Sequence, residues 1–279
     1  MNIEGVPEMD QMKGPASTGE IVATVLARDL VDGDMVNIGA NLAVARAGAL
    51  LAHLTHGPNM TVVMGMSKAA LLNEPELPEF ELLTDHRASR WAEAYYRHDE
   101  HLANIKFRRD SVFFAGAMQV DPFGNSNLIG IGSDYSRLKV RGPGAIGTCN
   151  GTALYGRFYI VLNAHSTNTL VEKCDFISAV GFGRGEQTRE ALRLPGPGPK
   201  LCVTPLCVMD FEPDSKRMRL VSVHPGYTIQ DVIARTGFEL IIPDHVPQTA
   251  LPGDRELAVL RQRIDVRGNL RKVMLRPAR

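Results

Sequence analysis

Met35-Val36-Asn37-Ile38-Gly39, then Leu42-Ala43-Val44-Ala45-Arg46-Ala47-Gly48-Ala49-Leu50-Leu51-Ala52-His53-Leu54, then Thr61-Val62-Val63-Met64-Gly65 is the stretch that decides the fold. The two short apolar runs end on glycine and read as buried strands. The longer run between them reads as a helix closed by the Gly57-Pro58 turn. Upstream, Ser17 or Thr18 can cap a helix running to about Leu30 and stopped by Gly33. Ile21, Val22, Val25, Leu26 and Leu30 fall on one face of it.

Downstream the alternation continues. Residues 87–98 read as a helix, and residues 111–117, 158–163 and 175–180 read as strands. Strands alternating with helices predict an α/β fold: an open, mainly parallel sheet with helices on both faces. Such sheets place ligands outside the C-terminal ends of their strands. The last third differs: residues 200–211, a turn at 212–216 and residues 217–225 read as a β-hairpin. Thr228 and Asp231 make a capping-box variant before a helix for which Gly237 is placed as C-cap. Residues 254–264 form a final helix. No flexible linker divides the chain, and LPGPGPK (194–200) is a rigid loop. The organisation expected is an N-terminal arm (1–16), a single α/β domain (17–265) and a basic tail (266–279).

The chain has 279 residues, with 31 Lys plus Arg against 31 Asp plus Glu. Zero net charge argues against a nucleic-acid binder acting by bulk charge. No apolar run reaches the roughly 18 residues of a membrane span. The acidic start MNIEGVPEMDQMKG has no apolar secretory core, so a cytoplasmic protein is expected. Cys149, Cys174, Cys202 and Cys207 have no metal-ligand spacing and read as free thiols. Charge is uneven: residues 1–34 hold seven acids and two bases, residues 261–279 seven bases and one acid. The basic end is a solvated face or meets a phosphate or an acidic partner.

Gly142-Pro143-Gly144-Ala145-Ile146-Gly147 matches the spacing of a dinucleotide fingerprint. SRLKV (136–140) can be the strand before it, but Pro143 sits in the turn, TCNGTALYG is a poor helix, and no acid occurs between Tyr135 and Thr169. That reads against NAD and for a tight turn, either structural or bringing backbone N–H groups to a ligand oxygen. Asp121-Pro122-Phe123-Gly124-Asn125 is a strong turn in which Asp121 is a turn-former. His98 and His101 have helical metal spacing without a third ligand, and His53, His56 and His86 lie on helix ends or charged faces. His224, at a strand end, is the best placed histidine for a site, against the commoner role of a satisfied structural histidine.

The order of motifs carries more. IGANLAVARAGALLA (38–52), TVVMGM (61–66), GAMQVDPFGNSN (116–127), RGPGA (141–145), LCVTPLCVMDF (201–211), SKRMRLVSVHPG (215–226) and DVIARTGFEL (231–240) together resemble the β-type subunit of the family I coenzyme A transferases, over roughly 17–265. The resemblance implies an open α/β subunit whose active site lies between an α-type and a β-type chain. It implies coenzyme A as part of the substrate, no tightly bound cofactor, no metal, and no nucleic acid or membrane partner. In the transferases the strand matching TVVMG presents a glutamate that attacks the thioester carbonyl. The matching residue here is Met64, and the next carboxylate is Glu74. A thioether cannot form the acyl-enzyme. That departure is similar to the β-type subunits of the steroid ring-cleaving hydrolases, which also resemble SVHPG and LPGDRELAVLRQRID (251–265). The implied reaction is hydrolysis of a carbon–carbon bond in a CoA-linked cyclic β-diketone; CoA transfer, or a non-catalytic subunit that completes a partner's pocket, are the alternatives. By the same resemblance Gly142, Gly144 and Ala145 form an oxyanion-type turn, and Asn41, Gln119 and Asn125 line the cleft.

Overall fold

The computed structural model describes residues 14–39, 42–64, 68–72, 94–97, 111–145 and 147–273. They fall into two compact units: one within Met1–His101 and Ala250–Pro277, the other within Leu102–Thr249.

The first unit opens with α1 (Thr18–Arg28), whose N-cap is Ser17 in a full capping box with Glu20. The chain then makes β1 (Met35–Ile38), α2 (Ala43–Thr55) and β2 (Thr61–Met64). β1 and β2 are parallel, with Val36 opposite Val62 and Asn37 opposite Val63. Val22, Leu26, Leu50 and Leu51 are buried on the two helices, Val36 and Val62 on the strands. β3 (Lys68–Leu72) and β4 (Tyr95–Arg97) add antiparallel at the edge. The helix expected over 87–98 is therefore a strand at 95–97; residues 87–93 and 98 lie outside the described ones, as do Glu74, His86 and His101. Adjacent aromatics such as Tyr95 and Tyr96 favour a pleated surface, and tertiary pairing overrode the helical spacing.

The second unit holds β5 (Ser111–Ala115), then short β6 (Gln119–Val120), β7 (Ser126–Asn127), β8 (Gly130–Ile131) and β9 (Val140–Arg141). Next come α3 (Thr148–Leu154), β10 (Arg157–Val161), the small ribbon β11 (Gly183–Arg184) and β12 (Gln187–Thr188), and then β13 (Pro199–Val203), β14 (Cys207–Phe211), β15 (Met218–Val223) and α4 (Ile229–Arg235). β5, β10 and β13 are parallel neighbours; β14 and β15 continue antiparallel. The parallel strands are the apolar ones, with Phe114, Phe158, Tyr159 and Ile160 buried, as a sheet covered by other layers requires. An α/β architecture with parallel central strands is thus established.

Several local expectations change. Residues 200–211 are not one strand: Pro205 has no N–H for the ladder, and Thr204 Oγ1 accepts the Leu206 and Cys207 N–H groups, folding the run into β13 and β14. The expected hairpin is a three-strand meander. Residues 175–180 form no strand, because their backbone bonds go to single sites: the Asp175 N–H to Gln119 Oε1, and those of Ser178 and Ala179 to the Ser126 carbonyl. SRLKV is a 3-10 turn (Tyr135–Arg137) leading into β9. TCNGTALYG does form a helix, α3. The Thr228–Asp231 box caps α4. Its C-cap is Thr236; Gly237 is required because a Cβ there would meet the Leu170 carbonyl.

The first unit closes with α5 (Asp254–Val259), which continues as a π-helical turn to Ile264, and α6 (Leu270–Val273). Leu270 is buried, so this part of the basic end is packed. Two of its bases meet an acid of the first helix, and Arg28 of that helix pairs with Glu256. Arg261 Nε and Nη2 donate to the two Glu20 oxygens at 2.6 and 3.0 Å, Arg271 lies 3.9 Å from Glu20, and Arg28 binds Glu256 at 2.6 Å.

Candidate active site

β2 ends on Met64, whose backbone pairs with Ala70 of β3. The position thus sits at the C-terminal edge of a parallel strand, where an α/β sheet presents its chemistry. Asn41 lies outside the described residues.

The glycine turn follows β9. The Gly142 N–H donates to the Ile129 carbonyl at 2.8 Å and the Gly144 N–H to the Leu128 carbonyl at 2.9 Å. These two donors are spent within the chain, which corrects the expectation that they face a ligand oxygen. The Ala145 N–H has no partner among the described residues. Thr148 donates to the Ala145 carbonyl through its backbone N–H at 2.8 Å and through its hydroxyl, and α3 starts from that bond. The two glycines serve different ends. A Cβ at Gly142 would lie 2.1 Å from the Leu128 carbonyl oxygen, so backbone approach demands glycine. Gly144 has φ +89° with open space over it, so only its conformation does. Gly142→Ala is therefore expected to displace the turn and abolish activity of the assembled enzyme. Gly144→Ala, strained by about 1–2 kcal/mol without a clash, is expected to fold and keep part of the rate. Steady-state kinetics with thermal melts of both variants checks the ordering.

Asn125 and Gln119 do not offer free polar atoms in this chain. Asn125 is fully buried; its Nδ2 donates to Asp121 Oδ2 and the Gly183 carbonyl, and its Oδ1 accepts the Gly181 and Gly183 N–H groups. It ties the 121–125 turn to the 181–183 loop. Gln119 is also buried; its Oε1 accepts from Asn127 and from the Asp175 N–H, and its Nε2 donates to Asp175 at 3.3 Å. Both amides shape the wall that carries the glycine turn. Asp121 is a turn-former, as expected: its Oδ1 accepts the Phe123 and Asn125 N–H groups, and burial raises its carboxyl pKa despite those bonds.

His224 is structural. Its Nε2–H donates to the Thr204 carbonyl at 3.0 Å and its Nδ1 accepts from Thr249 at 2.8 Å. His165, which sequence patterning does not single out, sits in the same network. Thr236 gives its hydroxyl proton to the Val232 carbonyl, so the His165 Nε2–H donates to Thr236 and Nδ1 accepts from Thr204. Both rings are thereby held as the neutral tautomer, and burial pushes both pKa values down to about 4. The unfolded chain titrates near 6.5, so it binds protons that the folded chain refuses between pH 6.5 and 4. Stability is full above pH 6.5 and falls as pH drops toward 4, on the order of 3 kcal/mol per ring. Urea unfolding at pH 7 and 4.5 should show this slope, and His165→Gln with His224→Gln should flatten it. An unchanged slope would remove the assignment.

Arg189 is the second residue without a sequence signal. It is buried, and its guanidinium donates to the carbonyls of Thr152, Ala153, Val180, Gly181 and Gly196. Burial lowers its pKa to about 10. Two of those carbonyls belong to the last turn of α3, so the helix that leaves the glycine turn is held at its far end. Among the described residues no group of His, Cys, Asp and Glu is arranged to hold a metal, and no helix is long and apolar enough to cross a membrane.

Comparison with known proteins agrees with this geometry. Residues 20–235 match the family model described as Coenzyme A transferase. The chain is 35% identical over 246 residues to one subunit of the 3-oxoadipate CoA-transferase of Pseudomonas knackmussii, covering 88% of this chain and 92% of that protein. It is 32% identical over 250 residues to the cholesterol ring-cleaving hydrolase IpdB subunit of Mycobacterium tuberculosis, covering 90% and 95%. Two solved structures share the fold. Glutaconate CoA-transferase of Acidaminococcus fermentans has a TM-score of 0.79 at 23% identity, over 94% of this chain and 98% of that one. IpdAB of Rhodococcus jostii has a TM-score of 0.78 at 22% identity, over 92% and 98%. With strands, glycine turn and meander in the order the motifs require, and a family match spanning most of its length, the chain belongs to the coenzyme A transferase family.

Proposed function

We propose that this chain is the β-type subunit of a heteromer acting on acyl-CoA thioesters, and that the reaction is hydrolytic cleavage of a carbon–carbon bond in a CoA-linked cyclic β-diketone. The observation that carries the reading is Met64 at the end of β2, where the transferase resemblance implies a nucleophilic glutamate. Without a carboxylate there, ping-pong transfer through this chain has no acyl acceptor. Hydrolysis needs none. Water adds to one ring carbonyl, its proton going to a base supplied by the α-type partner. The adjacent carbon–carbon bond breaks, its electron pair moves onto the other carbonyl as an enolate, and protonation of that carbon completes the addition of one water. The Ala145 N–H at the glycine turn is a donor this chain can offer to the developing oxyanion; a comparable donor contributes about 3–4 kcal/mol. The similarity to the ring-cleaving IpdB subunit supports the reading.

The similarity to a 3-oxoadipate CoA-transferase favours CoA transfer as the second reading. The chain co-expressed with its α-type partner separates the two. Incubation with acyl-CoA followed by hydroxylamine should leave no modified carboxylate on this chain, and Met64→Ala should retain ring opening. A hydroxamate on a side chain of this polypeptide would instead establish transfer.

A further inference from the structure

The segment from Thr236 to Thr249 has no regular secondary structure and runs along β15, the edge strand of the sheet. Its backbone takes bonds that an edge leaves open. The Leu220 N–H donates to the Ile241 carbonyl at 2.9 Å and the Ile241 N–H to the Met218 carbonyl at 3.2 Å. The Val223 N–H donates to the Pro247 carbonyl at 3.1 Å and the Thr249 N–H to the Val223 carbonyl at 2.8 Å. Between these bonds Glu239, Asp244, His245 and Gln248 are exposed. The two ends are anchored differently. Thr236 and Thr249 are buried, and each hydroxyl meets one of the two buried histidines. Thr236 accepts the His165 Nε2–H at 3.1 Å, and Thr249 donates to His224 Nδ1 at 2.8 Å. Both rings converge on Thr204, whose hydroxyl donates to His165 Nδ1 and whose carbonyl accepts the His224 Nε2–H. Both ends of the segment are thereby tied through imidazoles to the turn between β13 and β14.

We propose that residues 236–249 form an acid-released strap: a proton taken up by His165 or His224 lifts the strap off β15 while β10, β13 and β14 stay folded. Each ring is neutral with both nitrogens engaged, so a proton added at Nδ1 meets a hydroxyl that is itself donating there. That hydroxyl must turn, and the new charge finds no anion. Around His165, α4 brings Arg235, already paired with Asp231 at 2.9 Å, and the β13–β14 turn brings the Cys207 thiol at 3.8 Å. His224 is the remaining titratable neighbour, and it and Arg235 both oppose a charge on His165. Cys207 stays neutral, since burial pushes its pKa up to about 12. Around His224 stand the Thr204 carbonyl and the hydroxyls of Thr249 and Ser222. Water is what stabilises such a cation, and lifting the strap admits it at the least cost. Four backbone bonds tie the strap to an edge strand, whereas β13 and β14 are internal strands. Phe238 and Leu240, both buried, resist the opening. Opened, the rings titrate near 6.5; shut, at about 4. Opening therefore binds protons, and the open fraction rises as pH falls from 6.5 toward 4, by about thirtyfold per exposed ring between pH 7.5 and 5. The stability slope expected of these histidines concerns the whole chain; the strap is where the proton first acts.

The test is hydrogen–deuterium exchange read by mass spectrometry on the full chain in complex with its α-type partner, at pH 7.5 and 5, with rates corrected for the intrinsic pH dependence of exchange. Peptides covering 218–223 and 237–249 should lose protection by about tenfold or more at pH 5, and peptides covering β10 and β13 should keep theirs. The loss should reverse on return to pH 7.5. His165→Gln with His224→Gln should leave the strap equally protected at both pH values. Thr249→Val, which removes one anchor and no titratable group, should loosen the strap already at pH 7.5. Unchanged strap protection in wild type at pH 5 would overturn the inference, and that comparison decides the matter even where the double variant fails to fold. A parallel loss in the strap, β10 and β13 would also overturn it, by making the proton a trigger of global unfolding. So would a folded double variant that keeps the wild-type pH response.

Discussion

Arg261→Met is expected to destabilise the first unit by about 3–5 kcal/mol, because it strands a carboxylate in the interior. The Glu20 side chain is 2% exposed and that of Arg261 8%, and the two meet through a pair of hydrogen bonds. Burial alone would raise the Glu20 pKa; the Arg261 guanidinium and the Ser17 donors outweigh it and hold it below the usual carboxylate range. The same arginine donates to the carbonyls of Gly14 and Pro15, so it fastens the chain entering α1 to the π-helical turn after α5. Glu20 also closes the capping box of α1. Replacing both partners by apolar residues (Glu20→Leu with Arg261→Met) should recover much of the loss, short of about 1 kcal/mol for the cap. With the folded pKa depressed, the pair stabilises above the unfolded carboxyl pKa and is lost as pH falls through the folded value. Denaturant unfolding of wild type and the two variants at pH 7 checks the series. A single variant within about 0.5 kcal/mol of wild type would mean the pair does not carry that end of the fold.

Arg189→Met should have a comparable effect on the second unit, about 3–5 kcal/mol, since it removes a buried charged donor from five carbonyls. The functional loss should exceed what stability explains. The guanidinium binds the Thr152 and Ala153 carbonyls at the end of α3, and α3 begins at the bond between Thr148 and Ala145. Releasing one end of a seven-residue helix lets the glycine turn at the other drift. Arg189→Lys keeps the charge without the planar fork and should restore part of the stability and little of the rate. Melting curves report the first quantity and kcat of the assembled enzyme the second. A methionine variant with native kcat would show that α3 does not position the turn.

The elements that repeat along the chain were readable from residue order. β1, α2, β2, β5 and β10 declare themselves because their apolar runs are continuous and punctuated by glycine or proline, and the Thr228–Asp231 cap is a local signal. Residues 175–180 and 95–97 misled, because short apolar or aromatic runs adopt whatever pairing the neighbourhood offers. Within the candidate site, the glycine turn was legible as a turn, but not which of its N–H groups is free. That depends on Leu128 and Ile129, which reach it only through the β8–β9 ribbon. His165 and Arg189 carry no pattern at all: a lone histidine or arginine between loop residues acquires its role from carbonyls and hydroxyls distant in sequence.

By itself the sequence determined the family, the alternation of strands and helices, and the thioether at Met64, because these depend on residue type and order along one chain. Tertiary structure alone decided that the Gly142 and Gly144 N–H groups are bonded inward while that of Ala145 has no partner among the described residues. It also decided that Asn125 and Gln119 brace the wall, and that the basic C-terminal residue Arg261 answers the acid of the first helix. Those are questions of which donor finds which acceptor, and a buried polar group takes its partner from whatever folding brings within about 3 Å, regardless of separation along the chain.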